Sequence, residues 1–337
     1  MQSHGFSIVL LILDETDVIF YPLNSGVQVL QTALDFGITT RGNKLTRKLR
    51  FYSHYWKLKN LIQQLKPEVI IGTDNVLNSV GYLAKEIETK FFVWEHHHFH
   101  WLQKNFFWQL LWRRTYPRLD AVICLNKTEQ ALFEQAGCRT AVIPNFIDRQ
   151  EKSTLSQKTI LSVGWLIHRK GVDRIPALAK KVFGRHPDWQ WIIIGTGEEE
   201  AALKNELQKH NLTHNVHIIS PVSDDLSFFY RNASLFVMTS RFECFPMVLL
   251  EAMSHGIPCL AFDCPTGPSF IISDEVDGKL IEQDNVAAMA AAITALIENE
   301  EKRKAFGDAA YENVGRFSSD KIFGLWRNLL QGGQINT

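Results

Sequence analysis

The chain has 337 residues, 45% of them apolar, with 36 Lys/Arg balanced by 36 Asp/Glu. That size suffices for two domains, each with its own core, and formal neutrality argues against nucleic acid as a partner, since neutralising phosphates needs a basic excess. No uninterrupted apolar run approaches the roughly 20 residues of a membrane-spanning helix, and Cys124, Cys138, Cys244, Cys259 and Cys264 lack CxxC spacing, so reduced thiols of a cytoplasmic protein are expected, with no disulfide framework and no zinc site.

In chain order, short apolar runs at residues 6–13, 69–72, 91–94, 121–125 and 141–144 alternate with longer amphipathic stretches. A polar linker follows at 148–158, and the pattern restarts at 160–163, 191–195, 217–219, 235–238 and 259–262. Such runs predict parallel strands covered on both faces by helices. Two series predict two doubly wound domains, 1–148 and 149–316, with a tail, 317–337, that reads as a final helix.

The charge balance hides an asymmetry. Residues 1–148 carry 16 Lys/Arg against 13 Asp/Glu, and the remainder 20 against 23. Residues 41–59 hold seven basic side chains and no acidic ones, interleaved with Leu49, Phe51, Tyr52, Tyr55 and Trp56. Two readings stay open: a solvated helix whose apolar side packs on its domain, or an interfacial helix that turns Arg47, Lys48, Arg50 and Trp56 to an anionic membrane surface. A second aromatic and basic run, 99–114, would extend that surface. The run Glu95-His-His-His-Phe-His100 follows a strand, and alternation along an extended chain sends successive side chains to opposite faces. No metal site is expected there.

Glu243 and Glu251 stand eight residues apart in a run from Thr239 to Met253. An apolar stretch ends at Ser240, a short loop carries Glu243, and a helix is predicted to open at Pro246, where the missing N–H would have no partner. The free N–H groups of Phe245, Met247 and Val248, with the positive end of the helix dipole, suit a diphosphate. Glu243 is placed to accept hydrogen bonds from sugar hydroxyls and Glu251 from a ribose. Val248, Leu249, Leu250, Ala252 and Met253 make this helix apolar almost all round, so a glutamate within it needs a partner. Gly195-Thr-Gly-Glu-Glu-Glu200 follows a strand and opens a helix as a phosphate loop would, although three carboxylates there would repel a phosphate.

These residues, with 163–171 (VGWLIHRKG), Gly256-Ile-Pro258 and 261–268 (AFDCPTGP), resemble the retaining nucleotide-sugar glycosyltransferases of glycosyltransferase family 4. The resemblance covers most of 159–330. It implies an α/β GT-B fold, two Rossmann-like domains facing a cleft, with the tail helix crossing back to the first. The implied activity is that of a hexosyltransferase. A hexose would pass from a nucleotide-sugar donor, UDP-linked in the first instance, to a polysaccharide or lipid-linked saccharide acceptor at the cytoplasmic face of the plasma membrane, with no cofactor and no metal. By the same resemblance Glu243, Lys170 and His96 are the catalytic residues. Lys170 matches the lysine on the donor diphosphate, and Arg169 is the candidate substitute for an arginine replaced here by Trp165. Gly164, Gly195, Val222, Phe245, Pro246, Met247, Val248 and Glu251 complete the donor site, with Pro221 and Val222 over the base. Cys244 stands where the family has glycine. His97 and His98 read as an acceptor rim or an exposed turn.

Family members open with a strand and a glycine-rich loop, whereas residues 1–13 look like the turn and second strand that follow. The first strand and its loop are therefore expected to be absent, and two inner strands to be left with unpaired backbone groups. Each such buried group costs about 1–3 kcal/mol against a stability of roughly 5–15 kcal/mol. Two other functions stay open: a non-catalytic remnant that binds a nucleotide or a partner, and a GT-B epimerase.

Overall fold

The structure, a computed structural model, describes residues 5–13, 23, 25–34, 36, 44–101, 106–220 and 225–332. The chain divides into two compact units. The first comprises Met1–Cys124, Gln130–Val142 and Arg327–Thr337, and the second Leu125–Glu129 and Ile143–Trp326. Among the described residues no helix is long and apolar enough to cross a membrane.

From the amino end run β1 (Val9–Ile12), β2 (Gln28–Gln31), α1 (Lys44–Leu65), β3 (Val69–Gly72), α2 (Asn75–Ala84), β4 (Lys90–Trp94), α3 (Phe106–Thr115), β5 (Ala121–Cys124), α4 (Lys127–Gln135) and β6 (Thr140–Val142). Their strands form two separate parallel sheets, β1-β2 and β3-β4-β5-β6. Both sheets lean on one cluster, in which Leu34, Phe36, Leu58, Ile62, Val80 and Ala84 are buried and Leu11 of β1 and Ile70 of β3 pack against them. Among the described residues no strand pairs with the second edge of β1 or of β3. The burial records this: β5 is buried throughout, β3 is only half-buried at every position, and Val9 and Leu10 of β1 are 38% and 37% exposed.

Next come β7 (Thr159–Val163), α5 (Ile175–Phe183), β8 (Gln190–Ile194), α6 (Glu200–Lys209), β9 (Val216–Ile219), α7 (Ser227–Arg231), β10 (Leu235–Met238), α8 (Met247–Ser254), β11 (Cys259–Phe262), α9 (Pro268–Ile271), β12 (Gly278–Ile281), α10 (Val286–Glu298), α11 (Glu300–Val314) and α12 (Ser319–Leu330). Here the six strands make one parallel sheet in the order β12-β11-β10-β7-β8-β9. The first strand of the series lies at the centre, between β8 and β10, as in doubly wound folds. Apolar runs buried on both faces explain it: Ile160, Trp191, Leu235, Val237 and Leu260 pack with residues of α5, α6 and α10 in one core. Asn285 and Asn299 cap α10 and α11, each accepting a hydrogen bond from the N–H three residues on, the arrangement that satisfies otherwise orphaned donors at a helix start.

The apolar runs at 69–72, 235–238 and 259–262 are strands to the residue, and the others shift by one to three residues at their ends. Two strands, β2 and β12, lie outside every apolar run read from the sequence. The final helix begins at Ser319, after a short 3-10 turn at Gly315–Phe317.

Candidate functional site

The carboxyl end of β7 leads into a loop that Gly164 and Gly195 bring close to the loop after β8. A Cβ on Gly195 would lie 1.9 Å from the Gly164 carbonyl oxygen, and one on Gly197 would lie 2.3 Å from that of Leu166. The glycines of 195–197 are thus required for backbone contact, and Leu166 N–H donates to the Thr196 carbonyl at 2.8 Å. Trp165 points outward, 65% exposed. The loop then turns through His168–Lys170, ends on Gly171 in the left-handed region (φ 67°) and starts a second 3-10 turn. Any side chain at Gly171 would strike the Thr239 carbonyl oxygen, so glycine alone allows this loop to lie against the end of β10.

Two arginines hold the loops together. Arg241 donates to both carboxylate oxygens of Asp173, at 2.6 and 2.7 Å, and to the His168 carbonyl. This pairing holds the Asp173 carboxyl below its usual pKa. Arg174, buried, donates to the Thr239 carbonyl at 2.8 Å and pairs with Asp284. The backbone N–H of Arg241 meets the Arg169 carbonyl at 2.9 Å.

These restraints set Lys170 against Glu243. Lys170 Nζ donates to Glu243 Oε1 at 2.7 Å, with the two side chains 19% and 8% exposed. Ser240 Oγ donates to the same oxygen at 2.6 Å, and Thr266 Oγ1 donates to the Glu243 carbonyl. Gly164, Lys170, Ser240, Glu243 and Val248 line one cavity. The α8 N-terminus lies in the same lining through Val248. Pro246 is the N-cap residue and the helix proper begins at Met247, one residue later than the sequence reading placed it, with no side chain capping it. Its first N–H groups have no partner within the helix. Phe245 is buried edge-on against Phe317, at 5.7 Å between rings. Burial and the charge of Glu243 push the Cys264 thiol up to about 12. Cys244 is half-buried.

Glu251 is half-buried on α8, and Tyr230 Oη donates to its Oε2 at 2.6 Å. Burial raises the Glu251 pKa above the usual carboxylate value, partly offset by the Tyr230 hydrogen bond. The partner that an apolar helix demands of a glutamate is this tyrosine.

Val222, with Pro221, lies outside the described residues. His96 belongs to the first unit, just beyond β4, half-buried with its ring 4.7 Å from that of Trp94. Burial, then the neighbouring His97, lowers its pKa, so it is neutral at pH 7. His97 is exposed, whereas His98 is buried and edge-on to His100, which corrects its reading as rim or exposed turn. Glu95 accepts hydrogen bonds from Tyr116 and Asn78. On α1, Lys48, Leu49, Arg50, Tyr52 and Trp56 are exposed while Leu58 and Ile62 are buried. One side of that helix thus serves the core and the other is open. Arg47 lies on the same helix.

Sequence reasoning missed Ser240, Thr266, Tyr230, Arg174 and Arg241. Ser240 had a local signal, three residues before Glu243. The others meet their partners across the fold.

Comparisons with known proteins bear on the family and the fold. The model of the family described as glycosyl transferases group 1 matches residues 145–313, and that of glycosyltransferase family 4 matches 17–151. An uncharacterized glycosyltransferase of Haemophilus influenzae is 29% identical over 296 residues, 86% of this chain and 84% of its own length. The amylovoran biosynthesis glycosyltransferase AmsD of Erwinia amylovora is 36% identical over 174 residues, covering 52% of this chain and about half, 48%, of that protein. The crystal structure of Anabaena Alr3699/HepE in complex with UDP aligns with a TM-score of 0.75 at 19% identity, over 90% of this chain and 86% of that one.

Proposed function

We propose a function for a chain that belongs to the group 1 glycosyl transferases and has the GT-B fold: retaining transfer of a hexose from a nucleoside diphosphate, UDP in the first instance, to a saccharide acceptor of polysaccharide assembly. The observation that carries the reading is the pair of half-buried Lys170 with buried Glu243, in one cavity with the start of α8. The name of the amylovoran relative and the UDP complex of the structural neighbour support the acceptor class and the nucleotide.

The residues divide the work by chemistry. Lys170 and the N–H groups of Met247 and Val248 receive the diphosphate, and they stabilise it further as negative charge grows on the leaving oxygen. Arg169 adds positive charge to the same loop. Glu243 accepts hydrogen bonds from hydroxyls of the transferred sugar. Its orientation is fixed before the donor arrives, because Ser240 holds one carboxylate oxygen and Thr266 the backbone. Glu251 accepts from the ribose, and Val222 covers the base. The acceptor hydroxyl attacks the anomeric carbon from the side the diphosphate leaves, the bond from that carbon to the phosphate oxygen breaks, and the departing phosphate takes the proton. The open side of α1, with Lys48, Arg50 and Trp56 exposed, together with Arg47 of the same helix, is the surface through which a lipid-linked acceptor is met at an anionic membrane.

The test is transfer from radiolabelled UDP-hexoses to undecaprenyl-linked saccharides, with Lys170→Ala and Glu243→Ala beside the wild type. Product formation that collapses in both variants supports the reading; wild-type turnover in either removes that residue from the chemistry. The same assay separates a second reading, nucleotide binding without transfer. UDP binding with no product from any donor would select it.

A further inference from the structure

Tyr230 is buried, 3% exposed, between two rings: it stacks on His255 at 5.4 Å and 7° and on Phe236 at 6.2 Å and 28°. A phenylalanine would fill that slot equally well, so packing does not account for the hydroxyl. A buried hydroxyl needs a partner, and this one finds it in Glu251 Oε2 at 2.6 Å, twenty-one residues along the chain. Among the described residues nothing else donates to the Glu251 carboxylate. An ionised carboxylate accepts at both oxygens, so the tyrosine fixes one, and Oε1 has no donor among the described residues.

We propose that Tyr230 is a positioning residue for nucleotide recognition: it anchors Glu251 through Oε2 so that Oε1 meets a ribose hydroxyl, and thereby sets the preference for a ribose over a deoxyribose nucleotide. This rests on the reading of Glu251 as the ribose ligand. The slot is built to hold the hydroxyl still. His255 below it pairs through Nδ1 with the Glu151 carbonyl at 2.6 Å, and burial lowers its pKa, so the imidazole is neutral and Nδ1–H is the donor. Burial, with the neighbouring Glu251 charge, raises the Tyr230 pKa well above its usual value. The phenol keeps its proton and remains a donor at all working pH values. Ser254 Oγ donates to the Glu251 carbonyl at 2.7 Å, which fixes the backbone from which the carboxylate projects.

The test is calorimetric titration of the full chain, as wild type, Tyr230→Phe and Glu251→Ala, with UDP, 2′-deoxy-UDP and 3′-deoxy-UDP. Tyr230→Phe keeps both ring contacts, and an unchanged thermal melt confirms its fold. The expected result is a wild-type preference for UDP over at least one deoxy analogue that nearly vanishes in Glu251→Ala and shrinks by about tenfold in Tyr230→Phe, the size of a lost hydrogen bond to a charged group. With transfer measured in parallel, KM for the donor rises in Tyr230→Phe while kcat holds. If Glu251→Ala loses the preference but Tyr230→Phe keeps it in full, the tyrosine is a packing residue and the proposal fails. If Glu251→Ala binds UDP with the wild-type preference, the ribose reading of Glu251 falls and takes the proposal with it.

Discussion

The two units use the same parallel architecture and differ at the centre of the sheet. In the second, β7 pairs on both sides, with β8 and β10, and every residue of β10 is buried. In the first, β1-β2 and β3-β4-β5-β6 are separate sheets, and the residues of β3 remain half-buried. A strand between β1 and β3 would give the central order found in the second unit. What fixes a site at the carboxyl ends of strands is therefore more than the presence of those strands. In the second unit the loop after the central strand is clamped by Arg174 and Arg241 to the loop after its neighbour, and that clamp is what aims Lys170 at Glu243. The first unit has no described central strand to carry an equivalent loop.

Substitutions can sharpen this contrast, beginning with the largest effect. Lys170→Ala should lower transfer by about 10²–10³-fold, the loss typical of removing one charge-stabilising donor, with an unchanged melt; an unaltered rate would show that the clamped loop does not serve the reaction. Leu161→Ala at the centre of the continuous sheet should cost about 3 kcal/mol, and Ile71→Ala on the half-buried β3 about 1 kcal/mol, read by urea denaturation. Equal costs would mean that the divided sheet is as well packed as the continuous one. Neutralising Arg47, Lys48 and Arg50 together should weaken binding to phosphatidylserine vesicles by about tenfold or more, given roughly 1 kcal/mol per basic residue near an anionic surface. Binding that does not change would leave α1 a packing helix only.

The smallest effect is one of pH. Because the folded pKa of Glu251 is raised, its ionised form is disfavoured by folding. That destabilisation is fully present above the folded pKa and is relieved as pH falls through it towards the unfolded value. Glu251→Gln should therefore be slightly more stable than wild type at pH 7, with the difference closing on acidification. UDP affinity of the wild type should fall over the same window, since a protonated carboxyl loses an acceptor site.

Much of this was legible from the chain. The strands of the second unit stand out because a parallel sheet covered on both faces writes continuous apolar runs, and the Glu243 to Glu251 stretch reads locally as strand end, loop and helix start. β2, Gln-Val-Leu-Gln, and β12, Gly-Lys-Leu-Ile, escaped because each carries only two apolar residues in a row. Polar flanks hide a short strand. Tyr230, Thr266, Arg174 and Arg241 escaped for another reason: their partners lie from 21 to 110 residues away, and no spacing rule reaches so far. His98 misled because a run of histidines looks polar, while its place in the fold buries it.

The most direct test of the donor site is a calorimetric titration of UDP and GDP into the wild-type chain and into Lys170→Ala. The account expects saturable binding of UDP to the wild type, stronger than that of GDP, and at least about tenfold weaker binding once the lysine is gone. No binding of either nucleotide, or equal binding by wild type and variant, would contradict a diphosphate site built on Lys170, Glu243 and the start of α8.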